Sequence, residues 1–213
     1  LGQEVIRVTA GKRIHGTGSV PGGVNKLLAR EDRDALLRAV PDAIEWARAA
    51  VRLTVDLDAQ HRAQWDVFGA VASNSMSLVG ADGRMELYDG VLRARDATGA
   101  LIFDGVDPTT YASILEEEVR PWSYMKFPYL TALGPEVGWY KVGPLARLQN
   151  CDFIDTPFAE EERQRFRDER GGAVSHAPLA SHGARLIELL HCTETIGQLL
   201  LDDDLVEGTL MTE

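Results

Sequence analysis

Cysteine is scarce: the 213 residues hold two, Cys151 and Cys192, 41 positions apart. No C-x-x-C exists, which argues against both a disulfide scaffold and a self-contained thiolate metal site. Basic runs are absent too. Against 33 acidic side chains stand 22 basic ones, for a net charge of -11, a balance that repels a polyanion and argues against nucleic acid. Long apolar runs are also missing. The best candidate, Leu186 to Leu201, is interrupted by Glu188, His191, Glu194 and Gln198, so no segment reads as a membrane span. The chain begins Leu1-Gly2-Gln3 with no initiator Met and no signal-peptide core, which reads as a cut inside a longer frame. With 45% hydrophobic and 26% charged residues, the composition is that of a globular protein able to bury a core.

The order of elements predicts an α+β, mainly helical fold: long scaffold helices with a small antiparallel β-meander inserted between them. Residues 1–70 read as helical apart from GKRIHGTGSVPGGVN (11–25), whose five glycines and one proline force an irregular loop. Glu31 and Asp32 favour the start of a short helix bearing Leu36, Leu37 and Val40, and Pro41 suits the first turn of the next. That second helix carries Ile44, Ala47, Val51 and Val55 on one face and fades between Asp58 and Asp66. Between 76 and 104 the runs MSLV, RMELY, VLRAR and ALIF, separated by glycine turns, predict three or four antiparallel strands.

The remainder, 107–213, reads as helical scaffold. Asp107-Pro108 caps a helix with Tyr111, Ile114, Leu115 and Val119 on one face. Six of the 15 aromatics fall between Trp122 and Tyr140, in a proline-broken segment expected to pack hard. An extended piece then turns at Gly143-Pro144 into a helix, Thr156-Pro157 caps a charged helix ending at Gly171-Gly172, and a last helix spans about 181–201.

Most chemical motifs fail on inspection. The glycine loop has Val24 where a P-loop needs Lys, and Pro21 where a dinucleotide fingerprint needs Gly. His15, close to Arg13 and followed by Gly16, is able to present an imidazole to a partner or redox centre; read alone, it is more simply a surface histidine. Glu188-x-x-His191 has the spacing of di-iron carboxylate bundles, but those need it twice. It reads as a core helix with a polar seam. No G-x-S-x-G occurs, and Ser175-His176 and Ser181-His182 read as helix starts. The run Glu160 to Arg170 alternates in sign and reads as a solvated face.

Five segments in order nevertheless resemble one family. GKRIHGTGSVPGGVNK (Gly11–Lys26), MSLVG with LYDG and LRA (Met76–Ala94), WSYMKFPYL (Trp122–Leu130), VGPLARL (Val142–Leu148) and ARLIELLH (Ala184–His191) are similar to the large subunit of cytoplasmic nickel–iron hydrogenases. They resemble above all the NAD-reducing, bidirectional branch. The resemblance covers this chain end to end but only the middle of that subunit, whose metal-binding cysteine pairs, R-x-C-G-x-C and D-P-C-x-x-C, and A-P-R-G arginine have no counterpart here. For the intact subunit it therefore implies a Ni-Fe centre, and for these 213 residues no catalytic, cofactor-binding or metal residue. It further implies an iron–sulfur small subunit, together with diaphorase subunits carrying FMN and NAD. Arg13, His15, Gly16, Pro21, Gly22 and Gly23 would face the small subunit with its clusters. Two other readings stand beside it: a hydrogenase with a deazaflavin- or sulfur-linked acceptor, and a non-catalytic scaffold like the quinone-site subunit of complex I.

Overall fold

The structure, a computed structural model, describes residues 1–211. In chain order its elements are α1 (Gly2–Ala10), β1 (Ser19–Val20), β2 (Gly23–Val24), α2 (Arg30–Trp65), β3 (Asn74–Val79), β4 (Val91–Arg95) and β5 (Leu101–Val106). After a 3-10 helix at Pro108–Ser113 come β6 (Leu115–Val119), β7 (Lys126–Leu130), β8 (Tyr140–Lys141), α3 (Pro144–Asn150), α4 (Pro157–Asp168) and α5 (Ala180–Leu199). The fold is thus mixed helix and strand with the helices most prominent, at 44% of residues.

The chain divides into two compact units, Leu1–Ala50 with Leu189–Glu213, and Val51–Glu188. The first unit closes on Val8, Leu28, Leu36, Val40 and Leu200, flanked by Val5, Leu37, Ile44, Ile196 and Leu205. Val5 and Val8 come from α1, a short helix ahead of the glycine loop. Gly11 ends it in a left-handed conformation (φ 83°), with its N–H bonded to the Arg7 carbonyl.

The second unit is built on a four-stranded sheet of order β5-β4-β3-β8. The predicted meander is its antiparallel part, β3-β4-β5, and β8 adds itself parallel to β3, pairing Asn74 with Tyr140. The buried Asn74 secures that junction by donating to the Val137 and Trp139 carbonyls at 2.7 and 2.9 Å. RMELY is no strand of its own. Only Arg84 and Met85 make isolated bridges, because Glu86 turns back to accept from the N–H groups of Leu87 and Tyr88. Met76, Ala94 and Leu130 form the sheet's core with Ile102, Phe103, Leu115 and Tyr140.

Several expectations are corrected. Two helices meeting at Pro41 are in fact one 36-residue helix, α2, with the proline inside it; its exposed ring removes one backbone hydrogen bond without ending the helix. The helix predicted after Asp107-Pro108 is a six-residue 3-10 helix, capped as expected by Asp107 accepting from Thr109 N–H. Leu115 to Val119 then become a strand paired with β7, Leu115 opposite Leu130 and Val119 opposite Lys126. Residues 107–213 are accordingly not uniformly helical. The aromatic stretch does not pack hard either: Tyr124 is 99% and Trp122 74% exposed. The charged helix α4 starts at Pro157 as predicted but ends at Asp168, short of Gly171-Gly172, and one of its faces is buried, with Ala159 covered and Arg163 only 4% exposed.

Candidate functional site

The glycine loop hangs from α1. Glu4, in the first turn of that helix, accepts from Arg7 Nε at 2.5 Å and from Arg13 at 2.9 Å, and the Arg13 and Arg7 guanidiniums hold its carboxyl below the usual range. Arg13 is thereby oriented while remaining exposed. His15 is the one described non-glycine residue with positive φ, at 52°, a conformation uncommon for a side chain other than Asn, Asp or His. Downstream, β1 and β2 pair around Pro21-Gly22, where Gly22 has φ 84°, as the second corner of a type II turn requires. At Gly23 a Cβ would collide with the Leu210 carbonyl, and the next N–H, of Val24, bonds to that oxygen at 3.0 Å. Arg13, His15, Gly16, Pro21 and Gly22 are exposed and Gly23 is half-buried, so the loop offers two cations, Lys12 and Arg13, and one imidazole.

The polar seam of α5 is present. Glu188, His191, Thr193 and Glu194 are buried, and Arg147 of α3 donates two hydrogen bonds to Glu188, at 2.5 and 3.0 Å. This bidentate pair fastens α3 to α5. Sequence reasoning missed a larger buried polar cluster in the second unit. Arg93 of β4 donates to both oxygens of Asp104 at 2.8 and 2.9 Å, to the Asn150 carbonyl at 2.9 Å and to Asp152 at 3.0 Å. Asn150 in turn joins Ser75 and Ser77 of β3. Arg163 donates to Glu160 and to the Asp152 carbonyl. No local motif marks these residues, since they are dispersed over β3, β4, β5, α3, α4 and the loop that carries Asp152.

The thiols do not suit a nickel–iron centre. Such a pair is held by deprotonated cysteines, whereas burial pushes the Cys151 thiol up to about 12 and its Sγ lies 3.5 Å from the Leu148 carbonyl. Cys192 is free of any disulfide and half-buried. Among the described residues no group of three or more His, Cys, Asp or Glu converges as a ligand set. No described helix is long and apolar enough to cross a membrane.

Compared with known proteins, this backbone has the fold of the NiFe hydrogenases. It superposes on 99% of its length with the NiFeSe hydrogenase of Desulfovibrio vulgaris Hildenborough (TM-score 0.73, 16% identity, 48% of that chain). With the crystal structure of an NAD+-reducing NiFe-hydrogenase in the H2-reduced state the TM-score is 0.93 at 51% identity, over 99% of this chain and 47% of the other. Among curated proteins it is 40% identical to the NAD-reducing hydrogenase HoxS subunit beta of Cupriavidus necator, over 99% of its own length and 44% of that protein. It is also 36% identical to the vhu F420-non-reducing hydrogenase protein of Methanocaldococcus jannaschii, over 100% of its own length and 50% of that protein. The chain is therefore a relative of the NiFe-hydrogenase large subunit, which is what its motifs indicate, and spans about half the length of the relatives it matches. No family model matches it.

Proposed function

We propose that the chain is the central part of the large subunit of a cytoplasmic NiFe hydrogenase that couples reversible H2 oxidation to NAD reduction. One observation carries this reading: 51% identity over nearly the whole chain to an NAD+-reducing NiFe-hydrogenase. Its residues supply scaffold, not metal ligands. When bound in the intact subunit, the Ni-Fe centre supplies the Lewis acid for heterolytic H2 cleavage; here Arg147–Glu188 and the Arg93 cluster hold the helices and sheet of the second unit in place.

In the same reading Arg13, His15, Gly16, Pro21, Gly22 and Gly23 face an iron–sulfur small subunit, while diaphorase subunits with FMN and NAD complete the path to the acceptor. The loop's exposure and the left-handed His15 support that assignment. A second reading, another acceptor, draws on the 36% identity to an F420-non-reducing hydrogenase.

The test begins with the DNA flanking the coding frame. R-x-C-G-x-C upstream, and A-P-R-G and D-P-C-x-x-C downstream, are the expected result; the purified complex should then contain nickel and reduce NAD with H2. Flanks without those cysteines would overturn the catalytic reading and leave a docking or complex I-like scaffold. H2-dependent dye reduction without NAD reduction would favour the second acceptor.

A further inference from the structure

We infer that the second unit carries a cleft for a small oxyanion, a carboxylate or a phosphate, between the β4–β5 turn and the C-terminal end of α4. The cleft encloses about 180 Å³ and is lined by Ser75, Arg95, Thr98, Gln149, Phe166 and Arg167, with Gly172 to Val174 at its rim. That is below the roughly 300–1,000 Å³ of sites for drug-sized ligands. A phosphate or short dicarboxylate fits; a nucleotide does not.

Its free hydrogen-bonding capacity is cationic. The hydroxyls and amide are already committed: Ser75 donates to Asn150, Thr98 to Asp96, and Gln149 pairs with the Ser175 backbone. Asp96, the acidic residue of the lining, is occupied by Thr98 N–H, Thr98 Oγ1 and Ala100 N–H at 2.7–3.0 Å, and these bonds keep it ionised and turned into its own loop. Two guanidiniums remain. Arg95 reaches the Gly99 carbonyl at 3.1 Å and Asp152 at 3.5 Å, an acid it shares with Arg93, and its buried Nε has no acceptor. Arg167 is exposed and no described carboxylate pairs with it. Its place in the last turn of α4 favours the helix dipole but leaves its five donors open.

An oxyanion in the cleft supplies acceptors for the open donors of Arg167, in the bidentate geometry guanidinium favours, while Arg95, held by Gly99 and Asp152, contributes its charge to the lining. The site is local, since the chain as a whole is acidic and repels anions. It is also independent of the hydrogenase reading, because none of its residues belongs to the glycine loop or the α5 seam.

The test is thermal unfolding of the intact protein that contains this chain, in sodium phosphate, sodium succinate and sodium chloride at equal ionic strength. Phosphate or succinate should raise the midpoint above chloride, and the two salts separate the ligand classes. Arg167→Gln should weaken the apparent affinity roughly tenfold or more, while Arg52→Gln, at an exposed arginine of α2, should leave it unchanged. Arg167 is exposed, so its variant is expected to fold; a midpoint equal to wild type in chloride verifies that. Equal midpoints in all three salts, or an undiminished response in Arg167→Gln, would overturn the site.

Discussion

At the scale of single residues, Arg93 is the most consequential side chain. Its side chain is 8% exposed and holds two carboxylates and a carbonyl. Arg93→Met should cost about 2–4 kcal/mol in urea unfolding, toward the lower end because Asp104 is 37% exposed and partly rescued by water. The Arg93 hydrogen bond keeps the Asp104 carboxyl below its usual range. Folding therefore gains from that carboxylate above its unfolded pKa near 3.8, and the gain is lost as pH falls through the lower folded value. Between pH 6 and about pH 3.5 the wild-type midpoint should fall more than that of Arg93→Met; parallel losses would show that Asp104 does not contribute. Cys151, raised to about 12 by burial, should resist iodoacetamide at pH 8 in the folded chain and react in urea, as mass spectrometry would reveal. None of this was legible in VLRAR or QNCDF, because the partners of Arg93 lie 11, 57 and 59 positions away.

Among elements, those whose signals agree came through intact. The meander, the Gly143-Pro144 start of α3, the Thr156-Pro157 start of α4 and nearly all of α5 combine periodicity with a turn or cap. Where two signals conflicted, the reading failed. Tyr111, Ile114, Leu115 and Val119 have helical spacing, but pairing with β7 satisfies the backbone of Leu115–Val119 and lets Tyr129 donate to Glu116 at 2.6 Å. Pro41 looked like a boundary because proline opens helices more often than it sits within them. Here the apolar stripe through Leu36, Val40, Ala47 and Val51, all buried, carries α2 across it. Pro41→Ala should restore the missing hydrogen bond and raise stability by about 1–3 kcal/mol, seen as a higher thermal midpoint. A lower midpoint would mean that the ring stiffens the helix more than it disrupts it.

For the molecule as a whole, charge and uncovered apolar surface set the solution behaviour. Trp46, Leu53, Val67, Phe68, Trp122, Tyr124 and Trp139 are each more than half exposed, whereas isolated soluble domains keep apolar patches small. The 213 residues alone should bind an apolar dye such as ANS in the native state, and scatter light most strongly near pH 4.9, where the net charge vanishes. Dye fluorescence no greater than that of a compact control protein would contradict the first expectation, and scattering flat from pH 4 to 7 the second. Composition predicted an acidic globular chain. It held no information on which faces stay uncovered, because a sequence pattern records apolarity and not the neighbour that covers it.

The parallel partner of β3 has a consequence in time. Asn74 meets Tyr140 66 positions later, whereas β3 and β4 are 11 residues apart and β4 and β5 five. A chain leaving the ribosome at ~5–20 residues per second can close the meander first, at Val106, and must then hold one edge of β3 bare for about 2–7 s until Tyr140 emerges. Such an edge invites pairing with other nascent chains. Synthesis rate and crowding, more than final stability, then govern the yield of folded protein.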